Sequence, residues 1–192
     1  MTYLRGFLPW ITFSVLSTVG WQWGAAAALA GSVLLLLSGR RRGTGGDAQI
    51  LDFGTIAYFT ALTAFAFADP HSPLQTYDGA LSSAWLALIA WSSLAVRRPF
   101  TLGIARQRTA PEVWDTPLFR RTNVVITLVW TVSFSYAAAA GYLCDAHHAA
   151  GLLKAANQAV GFGVPACFTH WYSARVRARR TTAGRLVPSA EL

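Results

Sequence analysis

The chain has 192 residues, of which 54% are apolar and only 12% are charged, whereas roughly 25% charged residues is typical of soluble domains. This composition excludes an ordinary soluble domain and predicts an integral membrane protein. The net charge of +8 does not indicate nucleic-acid binding, because the arginines fall in blocks beside apolar segments rather than along one polar face. Cys144 and Cys167 form no CxxC pair, so no metal site is expected.

The first apolar run, residues 7–37, is too long for one straight spanning helix. Its 31 residues would extend about 46 Å, against a bilayer core of about 30 Å. The central segment 20–24, GWQWG, favours a tight turn with its indoles at the membrane interface. We therefore predict two short spans, with one tilted or broken helix as the alternative. The run is too long for a signal peptide and lacks a cleavage site, so it should remain in the mature protein.

Four further segments have the length of a spanning helix, about 17 to 25 residues. They are residues 51–68, 79–96, 123–143 and 151–172. The sequence thus predicts an all-α, polytopic transmembrane bundle with six spans, or five if the first run is a single helix. Residues 1–180 would form one domain with a main loop at 97–122, and residues 181–192 a disordered tail.

The arginines predict the orientation of this bundle in the cell membrane. They cluster in alternate connections: Arg40 to Arg42, six within residues 97–121, and Arg175, Arg177, Arg179, Arg180 and Arg185. The connections between them carry acids and histidines, with Lys154 as the one nearby base. By the positive-inside rule the main loop and the C-terminus are cytoplasmic, and six spans place the N-terminus there too.

The loop RRPFTLGIARQRTAPEVWDTPLFRR contains an acidic pair beside a tryptophan. Glu112 and Asp115 would point to one side of a short surface helix that begins at Pro111 and ends near Pro117. They are candidates for a catalytic acid and base, or they pair with neighbouring arginines. The arginine forks could hold a diphosphate, or they anchor lipid headgroups and set the topology. These arginines are Arg97, Arg98, Arg106 and Arg108.

Polar residues within the spans are the other candidates for chemistry. Asp52 opens the third span, either as a proton donor held neutral by apolar surroundings or as an ordinary acid at a helix N-terminus. Asn123, Thr127, Trp130 and Phe134 recur at helical spacing, which suits a cavity wall. Asn157 and Gln158 could line a path, or they could link neighbouring helices by hydrogen bonds.

The segments RRPFTLGIARQ and PEVWDTPLFRRTNVVITLVW, with FLPW near the N-terminus and LDFGT opening the third span, resemble a group of small actinobacterial integral membrane proteins. The resemblance runs from Phe7 to about Tyr172. The chain is also similar in size and build to membrane-bound terpene cyclases of the drimentine, or indole sesquiterpenoid, type. It departs from the expected pattern at Ile104, where an aromatic residue is expected, and at Gln107, where an acid is expected.

This resemblance implies a protonation-initiated terpene cyclase, an isomerase or lyase acting on a farnesyl-derived substrate. Asp115 and Asp52 would be candidate acids, and Glu112 a partner or base. No cofactor would be needed, and Mg²⁺ would matter only if cyclisation began by loss of diphosphate. The other implied residues would contact the isoprenoid substrate: Trp91, Trp114, Trp130, Tyr58, Phe59, Asn123, Arg98 and Arg106.

Two other functions remain open. A small transporter would use Asp52, Asn157 and Gln158 to line its path, although no inverted repeat is visible. A non-enzymatic membrane scaffold would use the arginine-rich loop to bind lipid or a cytosolic partner. The bilayer is the one partner common to all three functions, and the sequence predicts no oligomeric state.

Overall fold

The computed structural model describes residues 2–40, 49–107 and 109–185, and every regular element within them is helical. There are seven α-helices in the described chain: α1 (Thr2–Leu16), α2 (Trp21–Arg40), α3 (Gln49–Ala68), α4 (Asp78–Ala95), α5 (Phe100–Arg106), α6 (Pro117–Ala146) and α7 (Gly151–Arg185). The prediction of an all-α chain is confirmed. Arg41, Arg42, Arg108 and residues 186–192, which contributed to the predicted topology and tail, lie outside the described residues.

The first apolar run is broken near the predicted turn. α1 ends at Leu16, and α2 begins at Trp21. A side chain at Gly24 would place its Cβ 2.8 Å from the backbone nitrogen of Ser17, so the turn and the second helix approach too closely for any residue larger than glycine. The two helices can fold back on each other because the backbone of Gly24 packs directly against the backbone of Ser17.

The predicted main loop contains more structure than expected. After α4 the chain bends by 81° into α5, and Arg97 takes a left-handed backbone conformation with φ 56°. The Ser93 hydroxyl accepts a hydrogen bond from Phe100 N at 3.3 Å across the bend, and residues 100–104 are buried. α5 therefore packs into the bundle and is not a solvated connector.

The predicted surface helix at 111–117 is instead a single 3₁₀ turn, Pro111–Val113. Pro117 does not end a helix there, because it occupies the first turn of α6. Thr116 caps α6, its hydroxyl accepting a hydrogen bond from Phe119 N at 3.3 Å. Proline has no N–H to lose at this position, and its fixed φ suits a helix start.

The long helices pack closely in two sets, α1 with α2 and α3, and α4 with α6 and α7. Large aromatic side chains fill the space between the sets. Phe7 of α1 stacks on Trp130 of α6 at 4.8 Å between ring centroids, and Trp10 of α1 stacks on Tyr58 of α3 at 5.0 Å. Aromatic burial of this kind contributes strongly to a core. Phe7 joins α1 to the second set, and Trp10 packs α1 within its own set.

The helical spacing of Asn123, Thr127, Trp130 and Phe134 places them on one face of α6, but this face is buried by packing and does not line the cavity that the structure contains. All four are at most 3% exposed. Thr127 Oγ1 lies 2.8 Å from Thr101 Oγ1 of α5, and Thr101 Oγ1 also donates to the carbonyl of Asn123. The polar residues of this face, Asn123 and Thr127, therefore fix α5 against α6. Its aromatic residues, Trp130 and Phe134, fill the core.

Three helices are long and apolar enough to cross a membrane, namely α2, α3 and α6, and α4 with α5 counts as a fourth if the bent pair is one span. Six spans are thus not confirmed by length and composition. All six long helices nevertheless present exposed large apolar residues on their outer surfaces, including Leu8, Leu34, Phe53, Leu88, Val132 and Val164. Large exposed apolar side chains on every long helix, together with helices long and apolar enough to cross a membrane, indicate a membrane protein.

Because successive long helices run in opposite directions, the bundle has two ends. The arginine face contains the start of α3, the end of α4, α5, the start of α6 and the end of α7. The opposite face contains the end of α1, the connection 69–77 and the turn between α6 and α7.

Candidate functional site

A cavity of about 770 Å³ lies at the opposite face, between the end of α1, the start of α4, the end of α6 and the start of α7. Thirteen of its twenty lining residues have polar or charged side chains. The hydroxyls come mainly from Ser14, Ser17 and Thr18 of α1 and its turn and from Ser72, Thr76 and Ser82 around α4. Such a lining offers many hydrogen bonds at one end of an otherwise apolar bundle.

An ion pair crosses the cavity wall between α6 and α7. Lys154 Nζ lies 2.8 Å from Asp145 Oδ1, and the Asp145 side chain is only 6% exposed. A carboxylate so far removed from water is costly unless it is paired. Lys154 is half-exposed, so this pair faces the cavity on one side and the protein on the other.

Asp78, the first residue of α4, provides a second carboxyl group in the cavity wall. It lies close to the Ser17 hydroxyl, to the backbone N–H of Gly79 and to the charged groups of Asp145 and Lys154. The Lys154 ammonium group is paired with Asp145, so the Asp78 carboxyl group adds a further potential negative charge beside that pair. The local charge balance favours a ligand with a positive or hydrogen-bond-donating group.

Two amide side chains link α7 to its neighbours at the base of the cavity. Asn157 Nδ2 donates to the Ala137 carbonyl of α6 at 2.9 Å, and Gln158 Oε1 accepts from the Ser83 hydroxyl of α4 at 3.3 Å. The interpretation of Asn157 and Gln158 as links between helices is thus confirmed. Both also line the cavity, and Asn157 Oδ1 is buried without a hydrogen-bond partner.

The connection 69–77 is fixed by the start of α2 and by its own cap. Trp21 Nε1 donates to the Pro70 carbonyl at 3.0 Å, and Trp21 is 1% exposed. The Ser72 hydroxyl caps the 3₁₀ turn Pro73–Tyr77, and Tyr77 stacks on Tyr142 of α6 at 5.6 Å. These contacts hold the cavity rim in a defined position.

The predicted catalytic acids lie at the other end of the molecule. Asp115 Oδ1 is 3.4 Å from a guanidinium nitrogen of Arg120, and the Asp115 side chain is 87% exposed. Glu112 is exposed in the 3₁₀ turn, and Asp52 is half-buried in the first turn of α3. Of the two acids in the predicted loop, Asp115 therefore pairs with a nearby arginine, which is one of the two interpretations that the sequence left open.

The predicted substrate-binding residues mostly pack against one another. Trp130, Tyr58 and Phe59 are buried in the aromatic core, and Trp130 Nε1 donates to Thr169 Oγ1 at 3.0 Å. Asn123 is buried, with its Nδ2 donating to the Phe119 carbonyl. Trp91, in contrast, is 51% exposed on the outer surface of α4.

The remaining predicted residues, Arg98, Arg106 and Trp114, belong to the arginine face. The guanidinium of Arg106 lies over the Trp114 ring, 5.3 Å from its centroid, and Trp114 Nε1 donates to the Thr109 carbonyl at 2.9 Å. Arg98 is exposed after α4. None of the eleven residues predicted for catalysis or substrate binding lines the cavity.

Sequence reasoning did not combine Asp78, Asp145 and Lys154 into a site. The signal in the sequence was that two connections carry acids while the other connections carry arginines. This signal was used only to predict the orientation of the chain. Among the described residues, no three His, Cys, Asp or Glu side chains come together as a metal-binding group.

Comparisons of the chain with protein-family models, with curated proteins and with solved structures found no match. The resemblance to small actinobacterial membrane proteins and terpene cyclases therefore stays a prediction. The cavity is interpreted from its own geometry.

Proposed function

We propose that this protein is a multi-pass membrane protein that binds a small polar solute, as a transporter or solute-binding protein would. The solute would bind in the cavity at the opposite face, which is the end of the bundle away from the arginine face. The observation that carries the proposal is a half-open cavity of about 770 Å³, to which thirteen of the twenty lining residues contribute polar or charged side chains. Its volume falls within the range of about 300 to 1,000 Å³ that small-molecule sites occupy. Hydroxyls and amides would bind a hydrogen-bonding solute, and Asp78 would bind an ammonium group on it.

The proposal includes six spans, with the arginine face cytoplasmic and the cavity opening to the outside of the cell membrane. The low apolarity of α7 is compatible with a span, because the polar residues of its first half point inward. Lys154 pairs with Asp145, Asn157 with the Ala137 carbonyl, and Gln158 with Ser83. Polar residues in spanning helices usually face the bundle interior in this way.

The test begins with a thermal-shift screen of the purified protein against amines, amino acids and polyols. We expect at least one amine-containing solute to raise the unfolding temperature, and Asp78→Asn to weaken its binding about tenfold or more through loss of a charge-assisted hydrogen bond. Asp69→Asn is the matched control, because Asp69 lies at the same face, is exposed, and does not line the cavity. Equal binding by both variants would contradict the proposal.

Flux measurements distinguish transport from binding alone. Proteoliposomes would be loaded with the solute found in the screen, and efflux would be compared between the wild-type protein and Asp78→Asn. Flux that depends on Asp78 supports a transporter. Binding without flux restricts the function to solute binding.

A second proposed function is the terpene cyclase implied by the resemblance, and one contact favours it. Phe13 lines the cavity and also packs on Phe59 at 5.5 Å, so the cavity wall continues into the aromatic core. In this proposal a carboxylic acid protonates an alkene or epoxide of a farnesyl-derived substrate, the chain closes through tertiary cations, and a base removes a proton. The acid is then restored, so the reaction is a net isomerisation.

Membranes containing the protein would be incubated with farnesyl compounds and analysed for cyclic products. Loss of product in Asp78→Asn would place the chemistry in the cavity, whereas loss in Asp115→Asn or Asp52→Asn would place it at the arginine face. No cyclic product from any prenylated substrate, despite folded protein, would count against this second function.

A further inference from the structure

The arginine face carries a strong excess of positive charge. Among side chains that the structure describes there, seven are arginines and three are carboxylic acids. The exposed arginines include Arg97, Arg98, Arg120 and Arg121. The opposite face shows the reverse balance, because three aspartates are accompanied by one lysine among its described residues.

Three carboxyl groups cannot neutralise seven arginines, so a net positive charge remains at this face however these groups pair. The pair between Arg120 and Asp115 is long at 3.4 Å, and its side chains are 64% and 87% exposed. Exposed pairs of this kind contribute little and exchange readily with solvent or with another anion. Arg120 is therefore available to a phosphate group.

Two arginines at this face stack on tryptophan rings. Arg106 lies over Trp114, and Arg175 lies over Trp171, each with its guanidinium carbon 5.3 Å from the ring centroid. Trp171 is 53% exposed on the outside of α7, one helical turn from Arg175. Tryptophan favours the membrane interface, and an arginine stacked on it places a cation at headgroup depth.

We infer that the arginine face docks on anionic phospholipid headgroups, with the two Arg–Trp pairs setting its depth in the membrane. α5 contributes to this arrangement because its 81° bend from α4 lays Arg106 along the face and away from the bundle axis. Guanidinium groups suit phosphate oxygens because their planar forks donate two hydrogen bonds at once. The inference does not depend on what the cavity binds.

The test compares the full-length protein in nanodiscs of phosphatidylcholine alone and of phosphatidylcholine mixed with phosphatidylglycerol. We expect the anionic lipid to raise the unfolding temperature by about 4 °C or more, since several arginines each gain electrostatic attraction at the surface. Salt should remove most of this increment, because the screening length falls from about 10 Å at 0.1 M to about 3 Å at 1 M.

The variant R97Q/R98Q/R120Q/R121Q should lose most of the increment, which is measured as the difference between its own unfolding temperatures in the two kinds of nanodisc. R97K/R98K/R120K/R121K is the matched control, and it should keep most of the increment because it retains the charge. Equal stabilisation of the wild type by both lipids would overturn the inference. A full increment in the glutamine variant would do the same.

Two further measurements distinguish a lipid ligand from free phosphate and provide a test if the glutamine variant does not fold. If inorganic phosphate added to phosphatidylcholine nanodiscs reproduces the increment, the ligand is free phosphate and the lipid inference is overturned. If the glutamine variant does not fold, native mass spectrometry of the wild type counts the lipids that it retains from a mixture. Preferential retention of phosphatidylglycerol supports the inference, and equal retention overturns it.

Discussion

Lys154 is the residue on which the buried Asp145 carboxylate depends. Lys154→Gln removes the ammonium group 2.8 Å from Asp145 Oδ1 and leaves a side chain that is 6% exposed without its counter-charge. We expect the free energy of unfolding to fall by about 1 to 3 kcal/mol. The measurement is unfolding in mixed detergent micelles by titration with a denaturing detergent.

A double-mutant cycle separates this pair from general damage. Because Asp145→Asn removes the charge that Lys154 neutralises, the double variant Asp145→Asn/Lys154→Gln should be more stable than the sum of the two single effects predicts. Strict additivity would show that the ion pair does not stabilise the fold.

Trp130 and Trp91 were both expected to line a substrate pocket, but they have different surroundings. Trp130 is 3% exposed, stacks on Phe7 and donates a hydrogen bond to Thr169, whereas Trp91 is 51% exposed. Trp130→Ala should cost about 3 to 5 kcal/mol of stability, and Trp91→Ala much less. Comparable losses in the same unfolding titration would contradict this assignment of Trp130 to the core.

The candidate site was harder to predict than these core positions. The local spacing of Asn123, Thr127, Trp130 and Phe134 places them on one face of α6, because side chains three and four residues apart share one side of a helix. The cavity has no such local signature. Asp78, Asp145 and Lys154 come from three separate helices, and only the packing of the bundle brings them together.

At the level of elements, the turn between α1 and α2 depends on one glycine. In Gly24→Ala the new Cβ would lie 2.8 Å from the backbone nitrogen of Ser17, and neither backbone can move without opening the turn. We expect a loss of about 1 to 3 kcal/mol. Thermal unfolding in detergent, followed by tryptophan fluorescence, is the measurement.

Gly31→Ala in the same helix is the control. A Cβ at Gly31 meets no atom within 4 Å, and alanine favours helix more than glycine does by about 1 kcal/mol. It should be neutral or slightly stabilising. Equal destabilisation by both substitutions would show that the close contact between Gly24 and Ser17 is not the cause of the loss.

The helices themselves were predictable where their apolar segments were long and uninterrupted. The predicted spans 51–68 and 79–96 match α3 and α4 closely. The break in the first apolar run lies at residues 17–20, just before the predicted turn at 20–24, whose residues 21–24 begin α2. α5 was not predicted, because Phe100 to Ile104 lie between arginines and prolines that indicate a loop. Its burial results from contacts with α6 through Thr101, which is a tertiary effect.

At the scale of the whole molecule, charge separates along the bundle axis. The arginine face has the stacked Arg–Trp pairs, and the opposite face has the aspartates, His71 and the polar cavity. A membrane with a negative cytoplasmic surface would orient such a molecule, because its two ends differ in electrostatic energy at that surface. The orientation of the cavity and the docking of the arginine face are therefore linked.

Cysteine labelling tests this orientation and the number of spans together. In a background with Cys144→Ser and Cys167→Ser, His147→Cys places a thiol at the exposed turn of the opposite face, and Glu112→Cys places one at the exposed arginine face. A membrane-impermeant maleimide should label the first in intact cells and the second only after permeabilisation, because the proposed orientation places the arginine-rich connections in the cytoplasm. The reverse pattern would contradict the proposed orientation. Protease-accessible tags at the two termini then count the spans: six place both tags in the cytoplasm, whereas five place them on opposite sides, since each additional span reverses the direction of the chain.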